Sequence, residues 1–464
     1  MKKIKAPNTV ILVLCLLVAM AGLTWIIPGG EYERVEIEGR EVVDPESFEY
    51  VESDPVSLTD LILAPVGGFN DPVAVRIIVF ILIVSGSFSI VQRTGAFDKL
   101  IHRLARFFTR HPEYKLWLIP AFMFLFALMG STFGMSEEII VFIPLFIPLA
   151  IALGFDSITG IAIPFVGARI GFAGAFMNPF TVGISQELAE IPLFSGWELR
   201  LLLWFTLTVI GCGMVMMYAR SILKDPKRSP VYELDRNREE VLSPETEIEP
   251  IYKRDGFIIA LFGAAIVLLI YGVSQWEWFI NELTGLFLTL GVVSAFVGRI
   301  TGDEAVEAFL KGMRNVMLAV VIVSLSRSIL LLMQDARVID TILHYLSSSV
   351  DGVPAIISTQ LMLGVQTVIN IIVPSGSGQA ALTIPILAPL GDLVGIPRQT
   401  VVLIFQLGDG LSNLIIPTAG VTMAVLGMAR IPWEVWAKWM IWRLLLLYLV
   451  AMVFIAIAVI IGYS

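Results

Sequence analysis

The sequence predicts an all-α polytopic membrane protein, an inverted-topology repeat with two re-entrant hairpins and broken helices, and three observations carry that prediction. Of 464 residues, 57% are hydrophobic and only 15% charged, with a mean hydropathy of +0.84, whereas soluble domains carry ~25% charged residues. Apolar stretches repeatedly reach the ~20 residues a helix needs to cross a ~30 Å hydrocarbon core, and they lack the alternating ~10-residue pattern of a barrel. Landmarks in the first half of the chain recur in the second at an almost constant offset.

Taken in order, Lys2, Lys3 and Lys5 precede an apolar run over residues 10–27. That run is longer than most signal-peptide cores and reads as a retained anchor helix. Residues 29–72 carry twelve acids against Arg34 and Arg40, and their Val35/Ile37 and Val42/Val43 pairs flank Gly39. The pattern predicts a small external β-hairpin flap, 28–73. Further crossings are expected over 74–91, 157–186, 197–222, 256–274, 279–297, 316–334, 398–428 and 433–461, which makes roughly nine with the first. Two more apolar blocks, 114–155 and 354–395, are broken near the middle by Gly, Ser and charged or amide residues and read as re-entrant hairpins. Two full crossings apiece would preserve the same parity.

The polar stretch 223–255 reads as a cytoplasmic linker. It separates a first repeat, 1–222, from an extra crossing, 256–278, and a second, inverted repeat, 279–464. Lys2, Lys3, Lys5, Arg93, Lys99, Arg103, Arg106, Arg110, Lys224, Lys227, Arg228, Arg236, Arg238, Lys253 and Arg254 all fall on one predicted side. By the positive-inside rule that side is the cytoplasm, so the expectation is a multi-pass inner (plasma) membrane protein with its N-terminus inside. A net charge of −9 argues against nucleic acid as a partner. Cys15 and Cys212, far apart in apolar runs, support neither a disulfide framework nor a metal site.

The internal repeat is the strongest signal. Ser85-x-Ser87-x-Ser89 recurs as Ser324-x-Ser326-x-Ser328. His102 falls on His344, Pro144-x-x-x-Pro148 on Pro385-x-x-x-Pro389, and Ile191-Pro192 on Ile431-Pro432, at offsets of 242, 241 and 240 residues. The crossing over 256–274 has no counterpart, so the number of crossings between equivalent points is odd and the second copy sits upside down. Duplication without a transport role is the bland account. Inverted repeats with interrupted helices near the midplane are the architecture of secondary transporters.

The hairpin tips read Gly130-Ser-Thr-Phe-Gly134-Met-Ser136-Glu137-Glu138 and Pro374-Ser375-Gly376-Ser377-Gly378-Gln379. Gly and Ser let the chain reverse at membrane depth and leave backbone groups that protein, water, ion or solute must satisfy. The helix after each hairpin is interrupted too, at Gly167 to Gly174 with Asn178-Pro179, and at Gly408-Asp409-Gly410 through Asn413 with Pro417-Thr418. Helix ends at such breaks aim partial charges at a shared site; close packing explains any one of these glycines alone. Charges at such depth cost roughly 2.5–3.5 kcal/mol each, so Glu137, Glu138, Arg169, Arg327 and Asp409 need a reason. Asp409 and Glu137 are expected to bind a cationic group or a coupling proton, and Arg169 a carboxylate, while Arg327 is expected in a structural ion pair. His102 and His344 lie on amphipathic segments read as surface helices, and Trp433, Trp436, Trp439 and Trp442 as an interfacial belt.

FGMSEE from Phe133, MNPF from Met177, SGSGQAALTIPILAPLGDLVG from Ser375 and FQLGDGLSNLIIPT from Phe405 make the chain resemble the YfcC group. That group is similar to the DcuC-type C4-dicarboxylate carriers of the ion transporter superfamily. The resemblance implies an inverted-repeat fold, often dimeric, with an elevator motion and with carboxylate and sodium ions bound at the hairpin tips. On that analogy Ser136, Ser375, Ser377, Asn178 and Asn413 take binding roles, with sodium near Ser136, Ser377 and Asn413 and no other cofactor. Related groups carry C4-dicarboxylates or exchange basic amino acids such as arginine and ornithine. Glu137, Glu138 and Asp409 outnumber Arg169, which tilts the expectation to an amino acid, preferably basic, with a dicarboxylate as the alternative. A channel would need a continuous polar lining. An enzyme is least favoured, since Ser136 has no histidine base at membrane depth and no HExxH motif appears.

Overall fold

A computed structural model describes residues 9–37, 40–44, 47–132, 134–239, 252–276, 278, 280–348 and 353–463. The chain opens with α1 (Thr9–Leu23) and four short strands, β1 (Gly30–Glu31), β2 (Arg34–Ile37), β3 (Arg40–Val43) and β4 (Glu49–Tyr50). β2 pairs with β3 antiparallel, Val35 opposite Val42, and β1 pairs with β4. Gly39, expected at the turn, lies outside the described residues. There follow α2 (Leu58–Asn70), α3 (Pro72–Arg93), α4 (Ala96–Arg110), α5 (Leu118–Thr132), α6 (Ile143–Ala152), α7 (Ser157–Ile161), α8 (Gly167–Ala173), α9 (Ile184–Leu188) and α10 (Trp197–Lys224). The linker carries α11 (Tyr232–Glu239). Then come α12 (Lys253–Gln275), α13 (Ile280–Gly298), α14 (Gly302–Asn315), α15 (Met317–Asp335), α16 (Ile339–Ser348), α17 (Ala355–Ile372), α18 (Gly376–Leu393), α19 (Arg398–Ser412), α20 (Gly420–Ala429) and α21 (Trp433–Ile460).

By length and composition, six described helices are able to cross a membrane: Ala74–Arg93, Pro112–Thr132, Trp197–Lys224, Ile280–Gly298, Ala355–Ile372 and Trp433–Ile460. A seventh span forms if Gly302–Asn315 and Val320–Asp335, bent by 44°, count as one. This differs from the expected nine. The apolar runs 157–186 and 398–428 do not stay helical, because Gly174 to Asn178 and Asn413 to Ala419 interrupt them. The leading arms of both predicted hairpins, in contrast, are long enough to span.

Order and packing repeat between the halves of the chain. α13 and α14 pack on α3, while α1 and α2 pack on α15; α5 packs on α8, and α17 on α19. The serine repeats explain the first set. Ser85 Oγ donates to the Gly312 carbonyl at 3.0 Å, and Ser324 Oγ to the Pro65 carbonyl at 3.2 Å. A Cβ on Gly68 would collide with the Ser324 carbonyl oxygen, and one on Gly312 with the Ser85 carbonyl oxygen. Small residues thus let helix backbones touch where dispersion replaces the hydrophobic effect. Each half lends a helix to the other, since α14 seats on α3 and α2 on α15.

The second set forms one body around the breaks. A Cβ on Gly171 of α8 would strike the Ala127 carbonyl of α5, and one on Gly410 of α19 the Cα of Ala173. α8 and α19 therefore meet back to back at the centre. A π-helical stretch, Ala162–Val166, runs into α8 around Pro164, which has no N–H to donate.

Segments outside the helices fasten this body. Asp156 caps α7, accepting from the Thr159 N–H at 2.9 Å, and also accepts from Ser229 Oγ of the linker at 2.7 Å. In the flap, Tyr32 N–H and Arg34 reach the buried Asp340 of α16, each at 3.0 Å. Phe48 stacks on His344 with ring centroids 3.9 Å apart. His344 is accordingly held by the flap rather than left on a bare surface helix; the His102 side chain lies outside the described residues.

The tryptophans depart from the expected belt. Trp436 is fully buried and donates Nε1 to the Leu414 carbonyl at 2.8 Å, and Trp433 donates to the Ile415 carbonyl at 2.7 Å. These carbonyls are freed where α19 ends, so the indoles satisfy backbone groups that lipid cannot. Trp442, 76% exposed, stays outside.

Candidate functional site

The four interruptions converge on one cavity of about 360 Å3. Its far wall is α3 and α15, through Ala74, Ile77, Val323 and Leu330. Both hairpin tips border it. In the first, Gly134 adopts φ +72°, a left-handed conformation glycine takes at little cost, and a Cβ there would meet Asn178 Oδ1 at 2.6 Å. The chain then turns so that the Ser136 N–H donates to the Glu138 carboxylate at 2.9 Å. In the second, Ser375 caps α18, its Oγ accepting from the Gly378 N–H at 3.4 Å. Gly376 lies so close to Thr181 that a Cβ would come within 2.7 Å of Thr181 Cγ2.

The charged groups are deployed unequally. Arg169 is 5% exposed, and among the described residues no carboxylate lies within 4.0 Å of it. Its guanidinium stands 5.9 Å from the Phe165 ring centroid and 5.8 Å from that of Phe172, and its Nε has no acceptor. Asp409 is fully buried. Its Oδ1 accepts from Asn413 Nδ2 at 3.0 Å, and its Oδ2 has no protein partner. Asn370 Nδ2 donates to the Asp409 carbonyl at 3.1 Å and to Ser412 Oγ at 2.6 Å, which holds the end of α19 in place. Thr418 Oγ1 and Thr181 Oγ1 are likewise buried without partners. Burying polar atoms unpaired is costly, and these atoms cluster beside the cavity.

Of the residues singled out in the sequence, Ser136, Glu137, Glu138, Arg169, Ser375, Gly376, Ser377, Asp409, Asn413 and Thr418 line this cavity. Three stand off it. Asn178 is buried behind the first tip, its Oδ1 accepting from the Phe180 N–H at 2.9 Å. Gly378 is exposed in the first turn of α18. Gln379 points into the hairpin, donating to the Gln366 carbonyl at 2.8 Å and to Gln366 Oε1 at 2.6 Å.

The cavity also holds residues the sequence did not flag: Arg76, Phe172, Phe180, Thr181 and Ser326. Arg76 carried a usable signal, a cation inside an apolar run, two residues from the start of the expected crossing 74–91. Arg327 borders the cavity in an ion pair with Asp71 at 2.8 Å. The expected structural pair therefore exists, with an acid of the flap segment in place of the cavity acids. Among the described residues no group of three or more His, Cys, Asp or Glu could hold a metal ion.

Residues 6–460 match the family described as DcuC, C4-dicarboxylate anaerobic carrier. A protein of Escherichia coli (strain K12), provisionally named basic amino acid antiporter YfcC, is 36% identical over 98% of this chain and 97% of its own length. An uncharacterized protein of Haemophilus influenzae is 27% identical over 94% of each chain. Two solved structures are similar at 17% identity: the YdaH transporter of Alcanivorax borkumensis, TM-score 0.43, covering 98% of this chain and 99% of that one, and MtrF of Neisseria gonorrhoeae, titled among antimetabolite efflux pumps, TM-score 0.44, covering 98% and 95%.

Proposed function

The chain belongs to the DcuC family of C4-dicarboxylate anaerobic carriers, and from that premise we propose a secondary active transporter that carries a small carboxylate-bearing solute, preferably a basic amino acid such as arginine or ornithine, in the cavity between the hairpin tips. The observation that carries this reading is Arg169, a buried guanidinium with no acid within 4.0 Å among the described residues, opening on a cavity that also holds the unpartnered Oδ2 of Asp409. Arg169 receives the solute carboxylate, a pairing whose charge-assisted geometry suits guanidinium. Asp409 and Glu137 receive its cationic end.

Charge balance supports the preference. The lining offers three acids, Glu137, Glu138 and Asp409, against two unpaired arginines, Arg76 and Arg169, because Arg327 is neutralised by Asp71. With all of these ionised, the lining sums to −1; a basic amino acid brings +1 and leaves the loaded site neutral. A dicarboxylate would leave −3 and would require accompanying cations. That second reading is favoured by the family description and by the addition of Arg76 to the cavity. Sodium near Ser136, Ser377 and Asn413, or protons on the acids, would supply the cations. The provisional name of the Escherichia coli relative agrees with the first reading.

In this proposal the two halves are inverted repeats in the inner membrane, the N-terminus is cytoplasmic, and the hairpin body moves past α3 and α15 as an elevator, with two copies forming a dimer. The matching packing of α2 on α15 and α14 on α3, and of α5 on α8 and α17 on α19, supports it. The hydrogen bonds crossing from the far wall to the hairpin body include long ones, Gln92 to the Pro144 carbonyl at 3.5 Å and Ser326 to the Pro417 carbonyl at 3.4 Å.

Thermal-shift titration of the purified protein with arginine, ornithine, succinate and fumarate, with and without sodium, tests the proposal, because a solute that binds only the folded state raises apparent stability. Stabilisation by arginine or ornithine is expected. Stabilisation by succinate or fumarate alone, dependent on sodium, would establish the alternative. Saturable counterflow in proteoliposomes separates either from a channel.

A further inference from the structure

The amphipathic helix α4 bears a stripe of cations that the transport site does not use. Lys99, Arg103, Arg106 and Arg110, together with Phe107, fall within one arc of about 100° on the helix. Phe97 and Ile101 on the opposite side are buried. Lys99 is answered by Asp255 at 3.0 Å. Arg103, Arg106 and Arg110 are exposed, and among the described residues they meet no acid within 4.0 Å. The next acid along the chain, Glu113, is 3.4 Å from His111 Nδ1 instead. In a chain of net charge −9, three neighbouring arginines without acids invite an anionic partner.

Two further observations identify that partner. Phe107, on the same arc, is 50% exposed, and just beyond the helix Tyr114 and Trp117 are 53% and 66% exposed. Trp117 belongs to the span Pro112–Thr132. Exposed aromatic rings at the mouth of a span mark the boundary between headgroups and hydrocarbon, so the arginines stand at phosphate depth, their stems along the apolar surface. The helix at the equivalent place in the second half, α16, has the sequence IDTILHYLSS, without Lys or Arg, and docks on the flap through Asp340 and His344. Where α16 has a protein cover, α4 has none on this face among the described residues.

We propose that α4 binds anionic phospholipid headgroups of the bilayer through Arg103, Arg106 and Arg110, with Phe107 seated among the acyl chains. Each arginine forms charge-assisted hydrogen bonds to phosphate oxygens. Because α4 joins α3 to α5, the first arm of the first hairpin, the lipid anchors the joint between the far wall and the hairpin body.

Native mass spectrometry of the full chain in detergent, titrated with phosphatidylglycerol and phosphatidylcholine, tests this. The wild type should retain phosphatidylglycerol in preference to phosphatidylcholine. Each Arg→Gln change at 103, 106 or 110 should weaken retention by about 5-fold, and the triple variant by on the order of 100-fold. The triple Arg→Lys variant should keep the preference, and an unchanged melting temperature of the triple Gln variant without added lipid confirms that it folds. Equal retention of both lipids by the wild type, or an undiminished preference in the triple Gln variant, would overturn the proposal. Displacement of phosphatidylglycerol by equimolar glycerophosphate would also overturn it, assigning the arginines to a soluble anion.

Discussion

Replacing Arg169 by methionine should make the empty protein more stable and weaken its loading with solute. A charge at bilayer depth costs roughly 2.5–3.5 kcal/mol on insertion scales, and no ion pair within 4.0 Å offsets it here. What it gains from the Phe165 and Phe172 rings is small, because centroid distances of 5.9 and 5.8 Å sit at the edge of the ~6 Å range, worth about 0.5 kcal/mol each. Methionine keeps the stem packing, so the balance favours Arg169→Met by roughly 1.5–2.5 kcal/mol. Binding moves the other way. Two charge-assisted hydrogen bonds to a carboxylate, each worth at least about 1.5 kcal/mol, correspond to an affinity loss of about 100-fold. The assay is thermal unfolding in detergent, with and without the solute that stabilises the wild type. A variant that melts below the wild type and is still stabilised by that solute would refute the assignment, since Arg169 would then be a structural residue.

Gly171→Ala should destabilise by about 1–3 kcal/mol through overpacking against the Ala127 carbonyl, whereas Gly213→Ala in α10, with open space around its Cβ, should be neutral or slightly stabilising; paired thermal melts decide. Asp71→Asn leaves Arg327, 24% exposed, without its acid and should cost about 1–3 kcal/mol, and adding Arg327→Met should recover part of that loss in a double-mutant cycle. Gln379→Leu should lower stability by about 1–3 kcal/mol by removing the two hydrogen bonds that Gln379 donates to Gln366, which keeps only Thr383 as a side-chain partner, while leaving the solute dissociation constant, measured by calorimetry, unchanged.

Most of the cavity was legible because lipid leaves few reasons for Gly, Ser and charge to sit together at depth. Ser136, Arg169, Gly376 and Asp409 are all of that kind, and all line the cavity. What was hidden depends on partners remote in sequence. Gln379 resembles its neighbours in the tip, but its amide is engaged by Gln366, thirteen residues earlier, and no local pattern announces that. Trp433 and Trp436 look like boundary anchors until the carbonyls released at the end of α19 give their indoles a task inside. Helix continuity was hidden for a related reason. Hydropathy follows composition, whereas the continuity of a helix through 157–186 or 398–428 fails at a few positions whose side chains keep the segment apolar.

The crossed seating of α2 on α15 and α14 on α3 has a consequence for how such a protein assembles. Neither half owns a complete lipid-facing support, so synthesis of the first half yields a fragment whose serine-lined groove on α3 stays empty until α14 arrives. Release of a premature fragment should therefore end in degradation, and co-synthesised halves divided within 240–251 should rejoin. An ancestor one half this size would have met the same demand by trading these helices between two molecules.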